Sequence, residues 1–121
     1  MDKIFIVGMP GSGKSTMARY LSSKTKFNYL DLDEEIEKKS QKSVTEIFRD
    51  EGQEYFRSLE TKLLKEIINK EKIFILSTGG GTPCFNKNME LMKKNGITIF
   101  LNTSIDTLIE RVSRKNKRPL F

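Results

Sequence analysis

The run GMPGSGKS, Gly8 to Ser15, follows the apolar stretch KIFIV and precedes STMARYLSSK, which reads as a helix. It matches G-x-x-x-x-G-K-[ST] in the strand–loop–helix setting that this motif requires. No other feature constrains the fold as tightly. A strand feeding a helix through a glycine-rich turn is half of a βαβ unit, and such units build parallel sheets covered by helices. Gly11 and Gly13 let the backbone wrap a phosphate, with successive N–H groups pointing inward at a helix N-terminus. Lys14 then reaches the β- and γ-phosphates, and the Ser15 hydroxyl ligates Mg²⁺. The plainer alternative is a glycine-rich turn with an incidental lysine. Motif and setting together point instead to a nucleoside-triphosphate site.

The rest of the chain alternates. FNYLDLD predicts a second strand, and helical material runs from Asp33 to about Lys70, broken near Ser43, where SVTE is a capping box. KIFILST predicts a third strand, GGGTP a loop, KNMELMKKN a helix and ITIFLN a fourth strand. SIDTLIERVSRK predicts a further helical segment with Ile105, Leu108, Ile109 and Val112 on one face. Strands this apolar, alternating with helices, imply an α/β fold with a parallel sheet covered on both faces. Ligands in such folds bind at the carboxyl ends of the strands, where the polar clusters of this chain fall.

At 121 residues and 14.0 kDa the chain is expected to form one domain over 1–121. It is 36% hydrophobic and 31% charged, and no apolar run approaches the ~20 residues that span a bilayer, so no membrane association is expected. MDKIFIVG has no basic leader and no small-residue cleavage site, so no targeting peptide is expected. A single cysteine, Cys84, excludes an internal disulfide and suits a reducing compartment, with cytoplasm the default. The net charge of +6 is local: RVSRKNKR, residues 111–118, carries five positive groups and no acid, leaving +1 elsewhere. That patch is a solvated helix end, a nucleic-acid surface, or a site for the phosphates of one small ligand. No aromatic residue interleaves it to stack bases.

Asp31 and Asp33 crowd negative charge at the end of the second strand. A P-loop enzyme needs a second acid on the metal side, and KIFILST has none, so Asp31 is the expected Mg²⁺-side carboxylate. Asp33, at the start of the next helix, is placed to accept the proton of an alcohol, and the helix N-terminus is expected to keep it ionised. Its alternative is a simple N-cap. Arg57 and Glu60, at i and i+3, read either as a surface ion pair or as an arginine that emerges from a wall containing Phe48 and Phe56 to grip a carboxylate. Three successive glycines, Gly79, Gly80 and Gly81, exceed what a turn needs and suggest close backbone approach to a ligand.

Taken together, GMPGSGKST, the D-x-D of DLDEEIE, IFRDEGQEYFRSLE, STGGG and the terminal RPLF resemble shikimate kinase, a small P-loop kinase family of the aromatic amino-acid pathway. The resemblance runs from end to end and implies a nucleoside-monophosphate-kinase-like three-layer sandwich. It implies that residues Gly11, Ser12, Gly13, Lys14, Ser15 and Thr16 wrap the phosphates of ATP, with Lys14 also catalytic. Ser15 and Asp31, the latter through water, would hold Mg²⁺. Asp33 would bind the shikimate hydroxyls and assist proton removal, Arg57 would grip the carboxylate, and the Gly79–Gly81 backbone would line the pocket. Arg111 would lie by the adenine and Arg118 would reach the nucleotide phosphates. The expected partners are shikimate and ATP, with no nucleic acid or membrane, in a cytoplasmic monomer.

By the same resemblance the family continues some fifty residues past R-P-L, to complete a mobile lid and supply a second arginine, an adenine-side segment, a fifth strand and a last helix. The 121-residue chain is therefore expected to stop where the lid begins, to lack its last strand, and to transfer phosphate negligibly alone. Rival readings are another small-molecule kinase such as a gluconate kinase, or an inactive nucleotide-binding remnant. An adenylate kinase fits less well without a D-G-[FY]-P-R-type stretch, and a GTPase fits worse without N-K-x-D.

Overall fold

The structure, a computed structural model, describes residues 2–8 and 13–101. Strand β1 (Lys3–Gly8) leads to helix α1 (Lys14–Thr25), then β2 (Tyr29–Asp31), α2 (Leu32–Ser40), α3 (Val44–Glu51) and α4 (Gln53–Lys70). Strand β3 (Phe74–Ser77), a 3₁₀ turn over Thr82–Cys84, α5 (Asn88–Asn95) and β4 (Ile97–Leu101) follow. The helical segment expected over SIDTLIERVSRK lies outside the described residues.

The strands form one sheet in the order β2-β3-β1-β4, with every pairing parallel. Alternation along β1 explains the layering. Phe5 and Val7 point into a core built with Leu32, Ile36, Ile47, Phe56 and Leu64, whereas Ile4 and Ile6 pack on the opposite face with Met17 and Ala18 of α1. Helix α1 thus covers one face and α2 to α5 the other, as the apolar strands predict. Each fully buried Phe, Ile or Leu contributes roughly 1.5–3 kcal/mol relative to exposure. Strand β4 carries a less protected surface: Ile97 and Phe100 are exposed.

Three boundaries are set by local chemistry. The capping box at Ser43 forms as the sequence predicts: the Glu46 N–H donates to Ser43 Oγ (3.1 Å) and the Ser43 N–H donates to Glu46 Oε1 (2.9 Å). A second break, not expected, falls at Gly52, whose φ of 89° and ψ of 172° end α3 and start α4. The second strand is shorter than FNYLDLD predicts. It ends at Asp31, because Asp31 is the N-cap of α2 and accepts the Glu34 N–H (3.1 Å).

Candidate active site

Gly13 holds φ 91° at the entry to α1, a left-handed conformation that glycine adopts without a steric penalty, and it starts the helix at Lys14. The Lys14 ammonium donates to the Gly8 carbonyl at the end of β1. Burial pulls the Lys14 pKa down, and Asp33 and then Asp31 oppose that pull. Lys14 and both aspartates therefore share one electrostatic neighbourhood at the carboxyl ends of β1 and β2. The Ser15 and Thr16 side chains lie exposed on the first turn of α1, and the Tyr29 hydroxyl of β2 donates to Ser15 Oγ at 3.5 Å. Gly11, Ser12, Arg111 and Arg118 lie outside the described residues.

The structure separates the roles of the two aspartates differently from the sequence. Asp31, not Asp33, is the helix cap. Asp33 sits in the first turn of α2, and its pKa is pushed above the ordinary aspartate value by burial first, then by Asp31 and Glu60. Lys14 pulls it back and Glu37 adds a smaller push upward. Burial and the neighbouring carboxylates therefore work against the ionisation of Asp33 that the helix N-terminus is expected to favour. The end of the helix is engaged by Asp31, which accepts the Glu34 N–H.

Arg57 and Glu60 do pair, at 3.0 Å, but not on the surface: the Glu60 side chain is 1% exposed and that of Arg57 18%. The guanidinium lies against three rings, 5.9 Å from Phe48, 5.2 Å from Phe56 and 4.2 Å from Phe85. The apolar wall foreseen from Phe48 and Phe56 is present, and its nearest member, Phe85, gave no sequence signal. Glu60 occupies Nη1, while Nε is buried without a hydrogen-bond partner among the described residues. An open hollow of about 530 Å³ lies beside Arg57, lined also by Gln53, Glu54, Ser58, Phe85 and Asn86. A separate hollow by β2, lined by Leu30, Lys38, Leu63 and Lys70 among others, contains none of the residues singled out above.

The glycine run bridges the two groups. A Cβ on Gly79 would lie 3.8 Å from both Asp33 carboxylate oxygens, and one on Gly81 would lie 2.7 Å from Arg57 Nη2. Gly80 is in the turn between them. Asp33, Arg57 and the Gly79–Gly81 backbone therefore share one wall, next to the loop that carries Lys14. The arrangement brings a cation at Lys14, a proton acceptor at Asp33 and a guanidinium at Arg57 to one end of the sheet. For Mg²⁺ the donor set fits: Ser15 and Asp31 offer hard oxygen ligands, and this ion keeps several waters and phosphate oxygens rather than needing a full protein cage. Among the described residues no helix is long and apolar enough to cross a membrane.

Comparison with known proteins agrees with this geometry. A family model described as shikimate kinase matches residues 10–121. A shikimate kinase of Azobacteroides pseudotrichonymphae is 45% identical over the whole chain, which covers 72% of that protein. One from Persephonella marina is 41% identical, with 73% of its length covered. Among solved structures, the Acinetobacter baumannii shikimate kinase in complex with shikimate superposes with a TM-score of 0.81 at 35% identity, over 98% of this chain and 66% of that one. The Bacteroides thetaiotaomicron shikimate kinase gives 0.81 at 40% identity, over 98% and 67%.

Proposed function

The chain belongs to the shikimate kinase family, and from that premise we propose that its residues carry the transfer of the γ-phosphoryl group of ATP to the 3-hydroxyl of shikimate. Residues 1–121 act as one P-loop kinase domain. The observation that carries the reading is the shared wall on which Asp33 and Arg57 meet Gly79 and Gly81 beside Lys14. A substrate that is both an acid and an alcohol needs that pairing of cation and proton acceptor.

Arg57, which lines the hollow beside Phe85 and Asn86, grips the carboxylate in a charge-assisted contact. Asp33 binds the hydroxyls and takes the 3-hydroxyl proton as the oxygen–phosphorus bond forms and the bond to the ADP oxygen breaks. Its raised pKa makes it a better proton acceptor than an ordinary aspartate. The N–H groups of residues 11–16 cradle the phosphates, and Lys14 stabilises the charge on the transferring group. Ser15 and Asp31 would hold Mg²⁺, which would supply neutralising positive charge at the phosphates. The family resemblance assigns Arg111 to the adenine and Arg118 to the nucleotide phosphates. The protein works in the cytoplasm as a monomer on small molecules, with no membrane or nucleic-acid partner.

Release of ADP from the full-length protein, with and without shikimate, tests the reading. ADP release should depend on shikimate and not on gluconate, and Lys14→Ala should lower it by at least about a hundredfold. Turnover with gluconate, or near-normal turnover in Lys14→Ala, would overturn it.

A further inference from the structure

Arg57 is joined to itself by a closed ring of hydrogen bonds. Its Nη1 donates to Glu60 Oε1 (3.0 Å) and Oε2 (3.3 Å), and Thr82 Oγ1 donates to Glu60 Oε2 (2.7 Å). Asn88 Nδ2 donates to the Thr82 carbonyl (2.9 Å), and Thr61 Oγ1 donates to Asn88 Oδ1 (3.0 Å). Asn86 Nδ2 then donates to Thr61 Oγ1 (3.2 Å) and to the Arg57 carbonyl (3.3 Å), which closes the ring. Glu60, Thr61, Thr82 and Asn88 are all buried, so the Thr82–Glu60, Asn88–Thr82 and Thr61–Asn88 links are made where water cannot replace them. The two Asn86 links lie closer to solvent. The ring ties together the middle of α4, the residue that follows the three glycines and the first residue of α5.

Resting on the reading that Arg57 grips the substrate carboxylate, we propose that Thr82 and Asn88 are positioning residues for that arginine. Glu60 on its own would hold Nη1 from a side chain with three rotatable bonds. The Thr82 hydroxyl fixes the Glu60 carboxylate, and Asn88 fixes Thr82 through its carbonyl, while the Thr82 N–H donates to Gly79 (3.1 Å). The guanidinium is thereby set in register with the glycine wall that faces Asp33. Two residues before α5 support the assignment. Asn86 and Lys87 both adopt left-handed conformations, with φ of 52° and 59°, a region that asparagine visits readily and lysine uncommonly. These two residues deliver Asn88 to the buried side of the turn.

Steady-state kinetics of the full-length protein tests this. Thr82→Val keeps the shape and removes the hydroxyl. It should raise KM for shikimate about fivefold, the size of one buried hydrogen bond, with kcat and KM for ATP changed by less than about twofold. Thr82→Ser should restore the wild-type KM. Arg57→Ala should raise KM for shikimate about tenfold or more, and adding Thr82→Val to it should change nothing further. If Arg57→Ala leaves KM unchanged, the carboxylate-grip reading itself fails. If Arg57→Ala raises KM and Thr82→Val does not, or if the two effects simply add, the positioning role is overturned while the grip stands. Should Thr82→Val fail to fold, Asn88→Ser is read in its place, because it removes the buried amide that donates to the Thr82 carbonyl. A rise of about threefold in KM supports the proposal, and an unchanged KM overturns it.

Discussion

Gly81 and Arg57 are packed so closely that a Cβ on the glycine would sit 2.7 Å from Nη2 of the guanidinium. The constraint is contact, not backbone conformation, since Gly81 has φ −89°, which any residue adopts. In Gly81→Ala the guanidinium must move, yet it is held by Glu60 and packed against Phe85. KM for shikimate should therefore rise about tenfold, as expected when a charge-assisted contact is displaced, with little change in melting temperature. Kinetics and a thermal melt on the same preparation check this. An unchanged KM would mean that the arginine shifts freely.

Gly52 makes the opposite case. Its φ of 89° and ψ of 172° lie in a region that is essentially glycine-only, while a Cβ there would meet nothing within 4 Å. Its N–H donates to the Phe48 carbonyl and its carbonyl accepts from Phe56, so one residue closes α3 and opens α4. Gly52→Ala should cost about 1–3 kcal/mol through the backbone alone. The urea midpoint should fall without a change in slope, and kcat of the folded fraction should stay near wild type. Wild-type stability would show that the two helices can fuse or re-angle cheaply.

Much of the architecture was legible because it rests on patterns that repeat. Apolar strands alternating with helices specify a parallel sheet, and Ser43 with Glu46 announces a helix start. The break at Gly52 was not legible: it is one residue inside a long polar, helix-compatible run. Strand β2 read too long because nothing in NYLDLDEE says which aspartate will cap the helix; the structure selects Asp31. In the site, the sequence named Lys14, Asp33, Arg57 and the glycines through their types and spacing. It could not show that the Arg57–Glu60 pair is buried, since i,i+3 spacing is the same for surface and interior pairs. Phe85, Thr82 and Asn88 belong to no periodic pattern. Their roles come from the turn after the glycines, whose path is set by tertiary contacts.

The charge on Asp33 should cost the protein stability while supplying its chemistry. In the unfolded chain this carboxyl titrates at its ordinary value of 3.8, and in the folded protein burial, Asp31 and Glu60 raise it. Between those two values the folded state binds more protons than the unfolded state, so stability falls as pH rises through the window. Below the unfolded value both states are protonated and the full stability is present; above the folded value the loss is complete. Asp33→Asn carries no charge at any pH, so it should melt at a higher temperature than wild type at neutral pH. That advantage should shrink as the pH falls through the window and vanish below 3.8. The catalytic effect runs the other way. An amide cannot accept the hydroxyl proton, so kcat should fall by about a hundredfold or more. The wild-type acid limb in kcat/KM, which reports the free enzyme and lies above the usual aspartate value, should be missing from the residual activity. Melts across the acid range and a pH–rate profile measure both halves. A variant that is less stable than wild type at neutral pH would show instead that the Asp33 carboxylate is held as a structural acceptor.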